Sequence, residues 1–172
     1  GDPIGDITVA ANGDVTFDPA ADYTGPVPDL TYTPNDGTTD GSPATVSIGP
    51  VGAVNDAPTA MDDTASTDED TSFSRNATNG VIDPNDTDPD AGDTLAVDQI
   101  TNGTTTAGAG TAIAGSDGGK FAINADGSYD FDPDGDFDDL AAGEDRTTSV
   151  TYTVADGNGG TDTAELEITV DG

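Results

Sequence analysis

The chain contains no cysteine, no histidine and no tryptophan, and only three of its 172 residues are basic. Each absence closes a class of chemistry. Without cysteine there is no disulfide framework, so stability beyond apolar packing has to come from another source, such as a bound metal. Without histidine or cysteine, serine has no imidazole or thiol-based partner to activate it as a nucleophile. A metal, if held, must be held by oxygen. Arg75, Lys120 and Arg146 are too few for a basic patch, and 35 acidic residues give a net charge of -32. Such a surface repels nucleic acid and anionic lipid. Paired carboxylates cleave glycosides in aromatic-lined pockets, and 5% aromatic content does not furnish one. The chain is therefore expected not to be an enzyme. No apolar run approaches 18 residues, so no membrane-inserting helix is expected. The chain opens Gly1-Asp2-Pro3 without a signal-like segment, as expected of a mature piece or an excised fragment.

Leu, Ile, Val and Phe together make up about 16% of the chain, below the roughly 20% under which high charge signals disorder. The pattern points the other way, because these residues alternate. Phe121, Ile123, Tyr129 and Phe131 flank Ala125-Asp126-Gly127-Ser128, as in a β-hairpin. Val150-Tyr152-Val154 and Leu166-Ile168-Val170 alternate likewise around a Gly-rich turn at 155–160. Leu95, Val97 and Ile100 mark another strand. No stretch keeps a 3.6-residue period, although 137–143 has room for one helical turn. Short strands punctuated by 23 Gly and 11 Pro predict an all-β sandwich. Tyr23, Tyr32, Tyr129 and Tyr152 fall at in-facing positions and are expected in the core.

The chain also repeats itself. Residues 7–23 align with 121–137 at an offset of 114, sharing the turn Gly and Phe-Asp-Pro; 30–37 and 44–48 align with 150–157 and 164–168 at an offset of 120. Residues 1–51 thus match only the back half of a unit. Half a sandwich has open edges and a bare apolar face. Either an array has been cut, or another chain supplies strands.

Acidic residues crowd at Asn55-Asp56, Asp62-Asp63, Asp68-Glu69-Asp70 and through 85–93, which reads Asn-Asp-Thr-Asp-Pro-Asp-Ala-Gly-Asp. Crowded carboxylates are tolerable when solvated or when a hard cation sits among them, and Ca²⁺, which takes six to eight oxygens, fits best. In an extended segment Asp88 and Asp90 aim the same way. Asp132 to Gly143 begins like an EF-hand loop but has Phe137 at its sixth position and Gly143 at its twelfth, so it fails that template.

Asn55-Asp56-Ala57-Pro58, Asp68-Glu69-Asp70-Thr71, the 85–95 phrase, Asn124-Ala125-Asp126-Gly127-Ser128-Tyr129 and Tyr152-Thr153-Val154-Ala155-Asp156-Gly157-Asn158-Gly159-Gly160 resemble the VCBS and bacterial cadherin-like repeats. The resemblance implies tandem Ig-like, cadherin-like β-sandwiches. Residues 1–53 would be the C-terminal half of one repeat, 54–60 a linker and 61–172 a complete repeat. It implies junction calcium held by Asn55, Asp56, Glu69, Asp88, Asp90 and Asp156, with Asp36 the first-unit counterpart of Asp156. It further implies a calcium-stiffened extender of a secreted bacterial surface adhesin, supporting adhesion or biofilm formation. Its partners would be neighbouring repeats and possibly other copies of the chain. The alternative is a self-assembling subunit of an extracellular filament or surface layer, in which a neighbouring chain completes the first half-domain.

Overall fold

The computed structural model describes residues 4–10 and 12–172. The described residues form two compact units of β-strands, one running to Val54 and the other from Asn55 to Gly172.

The second unit is a two-layer sandwich. Its strands are β5 (Asp63–Asp68), β6 (Phe73–Arg75), β7 (Ala96–Thr101), β8 (Thr106–Gly108), β9 (Ile113–Ala114), β10 (Lys120–Ile123), β11 (Tyr129–Asp132), β12 (Asp145–Ala155) and β13 (Thr161–Asp171). One sheet runs β5-β13-β12-β7-β8 and the other β6-β11-β10-β9. The predicted hairpins are present. Phe121 pairs with Phe131 and Ile123 with Tyr129 across β10–β11, and Val150 pairs with Leu166 across β12–β13. Gly127 turns the first of them at φ 81°, a left-handed conformation that glycine adopts without steric cost. The adjacent Asp126 Oδ1 accepts hydrogen bonds from the Ser128 backbone N–H and hydroxyl.

Alternation places one face of each long strand inside. Thr148, Val150, Tyr152 and Val154 from β12 and Ala164, Leu166, Ile168 and Val170 from β13 are buried. They meet Phe121, Ile123, Tyr129 and Phe131 from the other sheet. Phe131 lies 4.8 Å from Phe121 and 6.0 Å from Phe73, centroid to centroid, in tilted edge contacts. Val97 and Ile100 are three apart yet both buried. The pairing to β12 slips between Val97 opposite Val154 and Gln99 opposite Thr153. The bulge absorbs Asp98 and restores the inward face.

The edge strand β5 is polar and runs parallel to β13, from Asp63 opposite Leu166 to Asp68 opposite Asp171. It has no apolar alternation beyond Ala65, so its place depends on that ladder. The expected helical turn at 137–143 is a pair of hydrogen-bonded turns, with Leu140 N–H donating to Phe137 O. Gly143 is left-handed at φ 87°, which stops helix propagation.

The first unit has two hairpins. Strands β1 (Gly5–Val9) and β2 (Val15–Pro19) pair, as do β3 (Leu30–Tyr32) and β4 (Ala44–Val46). Their registers reproduce those of the second unit at the repeat offsets: Ile7 opposite Phe17 corresponds to Phe121 opposite Phe131, and Leu30 opposite Val46 to Val150 opposite Leu166. Val27 is the one buried apolar side chain of this unit among the described residues. Tyr129 and Tyr152 are core residues as expected, but Tyr32 is 48% exposed. It sits at the position of Tyr152 without the second layer that covers Tyr152.

Candidate metal centre

Three segments converge at one pole of the second unit: the start of the unit, the acidic loop 85–93, and the β12–β13 turn. They are tied by side chains. Asn55 Nδ2 donates to Asp156 Oδ2 at 2.7 Å, and the Asp56 backbone N–H donates to Asp90 Oδ2 at 2.7 Å. The Asp90 N–H donates to Asp88 Oδ1 at 2.7 Å, and Asn158 Nδ2 donates to Asp93 Oδ2 at 2.9 Å. Of the expected linker 54–60, residues 55–60 belong to the same unit. Thr59 bridges to Thr87, Ala60 N–H donates to Asp162, and Met61 N–H donates to Asp86.

Asp156 is 3% exposed. Its Oδ1 accepts from the N–H groups of Asn158, Gly159 and Gly160, and its Oδ2 from Asn55 and Gly160. The Asn55 amide, and then these backbone N–H groups, hold its carboxyl below the usual range. Asp156 therefore sets the turn and anchors the chain entering the unit. Gly160 closes this junction. A Cβ there would stand 2.2 Å from Asp156 Oδ2 and 2.8 Å from Ala57 Cα. Gly160→Ala is expected to destabilise the unit by about 1–3 kcal/mol, the usual range for overpacking. A drop in urea midpoint at constant slope would register it, and an unchanged midpoint would show that the junction yields.

One carboxylate oxygen from each of Asp88, Asp90 and Asp93 lies within 4.8 Å of the others. Asp88 Oδ2 is shielded from solvent and has no hydrogen-bond partner. A shielded carboxylate oxygen without a partner is costly unless a cation or a proton meets it. The all-oxygen donor set and its like charge fit Ca²⁺. Asp88, Asp90 and Asp93 would hold the ion, which would supply the positive charge that offsets their mutual repulsion. Asp93 escaped the sequence reading, although its Asp-x-Asp-x-x-Asp spacing was a visible signal.

Glu69 is elsewhere. It follows β5 at the end where Asp68 pairs with Asp171, and its N–H donates to Asp171 O. Asp156 precedes the opposite end of β13. At about 3.3 Å per residue the 11-residue strand separates them by roughly 35 Å. Glu69 Oε2 is likewise shielded and unpartnered. Asp36 lies in the first unit, where its Oδ1 accepts from Thr38 and Thr39 N–H groups. This is the same turn-setting role that Asp156 has at the matching repeat position.

A second acidic group brings together Asp63 and Asp86, which lie in separate acidic runs of the sequence. The Tyr152 hydroxyl lies 2.8 Å from Asp63 Oδ2 and donates to it, with Met61 O at 2.9 Å and Val81 O at 3.1 Å also within reach. Asn85 Nδ2 donates to Asp63 Oδ1 at 3.2 Å. Beside them, burial pushes the Asp86 carboxyl up to about 6; the Met61 N–H opposes this, while Asp63 and Asp162 add to it. Burial raises Asp63 as well. A carboxyl with a raised folded pKa binds more protons folded than unfolded, so stability rises as pH falls from about 7 to about 4. Carboxyls held low, such as Asp156 and Asp162, act in the opposite sense, losing their contribution only below about pH 4. In chelator, the melting temperature is therefore expected to peak on the acid side, near pH 4–5. Asp86→Asn should raise stability at pH 7.5 and flatten the slope between about pH 7 and 5. Parallel pH profiles for the two proteins would contradict that assignment.

Among the described residues no helix is long and apolar enough to cross a membrane. No curated protein matches the chain. The family model of the bacterial cadherin-like domain matches residues 55–172, the span of the sandwich and its acidic pole. Domains of this kind are structural or adhesion-type modules without catalytic function, are typically extracellular, and generally bind calcium. The chain belongs to the bacterial cadherin-like domain family.

Proposed function

We propose that the chain is a calcium-stiffened extender segment of a secreted bacterial surface adhesin, serving adhesion or biofilm formation. The observation that carries this reading is the convergence of Asp88, Asp90 and Asp93 beside the entry segment Asn55–Asp56, with a solvent-shielded, unpartnered oxygen on Asp88. Asp90 supports it twice, since it accepts from the Asp56 backbone and belongs to the acidic trio. A cation bound there neutralises the loop and fixes the segment leading into the sandwich. In a tandem array such fixation turns a flexible string into a rod. Glu69, at the opposite pole, is suited to the junction with a following repeat. Neighbouring repeats are thus the natural partners.

The test is calorimetric titration of metal-stripped chain with CaCl₂, paired with small-angle scattering. Heat of binding, together with a longer maximum dimension in calcium than in EDTA, is the expected result. A flat titration on folded protein would defeat the proposal.

A further inference from the structure

The acidic trio hangs on a stem that runs back into the core. Asp88 follows Thr87, whose backbone exchanges both hydrogen bonds with Thr59, at 2.8 and 3.0 Å. One rung further in, the Met61 N–H donates to Asp86 Oδ1 at 2.8 Å. Asn85 Nδ2 then donates to Asp63 Oδ1 at 3.2 Å. The last rung is Tyr152. Its hydroxyl meets Asp63 Oδ2 at 2.8 Å and Met61 O at 2.9 Å on one side of the stem, and Val81 O at 3.1 Å on the other. Residues 59–63 and 81–87 are thus zipped together from the solvent inward, and the zip ends on a side chain that is 0% exposed.

Packing alone does not ask for this hydroxyl. Tyr152 stands on the inner face of β12 between Val150 and Val154, where a phenylalanine ring would fill the same space. A buried hydroxyl is costly unless partnered, and a bond to a carboxylate is stronger than one between neutral groups. The one hydroxyl proton has three acceptors in reach, drawn from the two segments that form the stem. We propose that Tyr152 is a positioning residue for the acidic trio: its hydroxyl, acting through Asp63 and Asn85, holds the stem in register so that Asp88, Asp90 and Asp93 converge before any ion arrives. The consequence for binding rests on the calcium reading of that trio; the clamp itself rests on the hydrogen bonds of the stem. Without a clamp, three carboxylates with oxygens within 4.8 Å of one another relax apart by like-charge repulsion. A loop ordered in advance also loses less conformational entropy on binding.

The test is Tyr152→Phe in the intact chain, compared with Ile168→Val, which trims the same core at a strand pair further from the acidic pole. Amide hydrogen exchange in EDTA is read first. Tyr152→Phe should speed exchange at the bonded amides of Thr59, Asp86 and Thr87 by about tenfold or more, the effect of losing a buried hydrogen bond to a charged group, and Ile168→Val should leave them unchanged. Calcium titration is read second, and affinity should fall about tenfold, as when an outer partner of a metal ligand is removed. Asn85→Ala, which removes one rung and leaves the core intact, should speed the same amides by a smaller factor, and it serves if Tyr152→Phe does not fold. Unchanged exchange at these amides in either variant overturns the proposal. Equal acceleration in Ile168→Val also overturns it, because Tyr152 would then be an ordinary core residue. So does a loosened stem with unaltered calcium affinity, since the stem would then not govern the trio. A parent chain that takes up no calcium, with the stem still loosened by Tyr152→Phe, would defeat the calcium reading and leave the clamp standing.

Discussion

Stripping calcium with EDTA is expected to lower the melting temperature of the second unit by about 15 °C. At free calcium a thousandfold above Kd, linkage contributes about 4 kcal/mol, and for a domain of this size each kcal/mol moves the midpoint by about 4 °C. The variants Asp88→Asn and Asp90→Asn sharpen the expectation by reversing sign. With calcium present each should melt below the parent, having lost a ligand. In EDTA each should melt at or above it, since a like charge has been removed from a crowded loop. Differential scanning calorimetry of three proteins in two buffers reads the whole pattern. Superimposable parent curves in the two buffers would remove calcium from the account of this fold.

Phe131→Ala is expected to cost about 3–5 kcal/mol, the range for truncating a buried aromatic. Phe131 is 1% exposed and packs edge-on to Phe121 and tilted against Phe73, so little around it is free to collapse into the space. Phe17 occupies the same place in the repeat, in the same Phe-Asp-Pro phrase, but is only half-buried. Phe17→Ala should cost about 1 kcal/mol or less, because much of that ring is already in water. Urea denaturation of the two variants makes the comparison. Equal losses would mean that the first unit has a core as closed as the second, against the exposure of Ile7, Val9 and Tyr32.

That pair of phenylalanines also shows where sequence reading stops. Identical residues in identical hairpin registers sit in different environments, because burial depends on a second layer that the local sequence does not contain. The hairpins themselves were legible. Alternation at Phe121–Phe131 and Val150–Val170, with Asp-Gly at the turn, leaves little freedom once one face must avoid water. Strands β5, β6, β8 and β9 were not legible, because they are short, polar or Gly-rich edges that exist through pairing with a neighbour. Within the candidate metal centre, the Asp-x-Asp spacing was readable. The partition of its members was not: Glu69 belongs to the opposite pole, because β5 runs parallel to β13 and delivers its end there. The Asp63–Asn85–Asp86 group around Tyr152 likewise assembled from three distant segments.

By itself, the sequence determined the all-β class, the repeat and its offsets, the oxygen-only character of any metal site and the exclusion of histidine or cysteine chemistry. All of these follow from residue type and period. Tertiary structure alone decided which carboxylates meet, that Asp156 accepts backbone N–H groups at its turn, and that Asp93 joins Asp88 and Asp90. Such outcomes depend on strand order and direction, through contacts between residues far apart in the chain, and no local pattern encodes them.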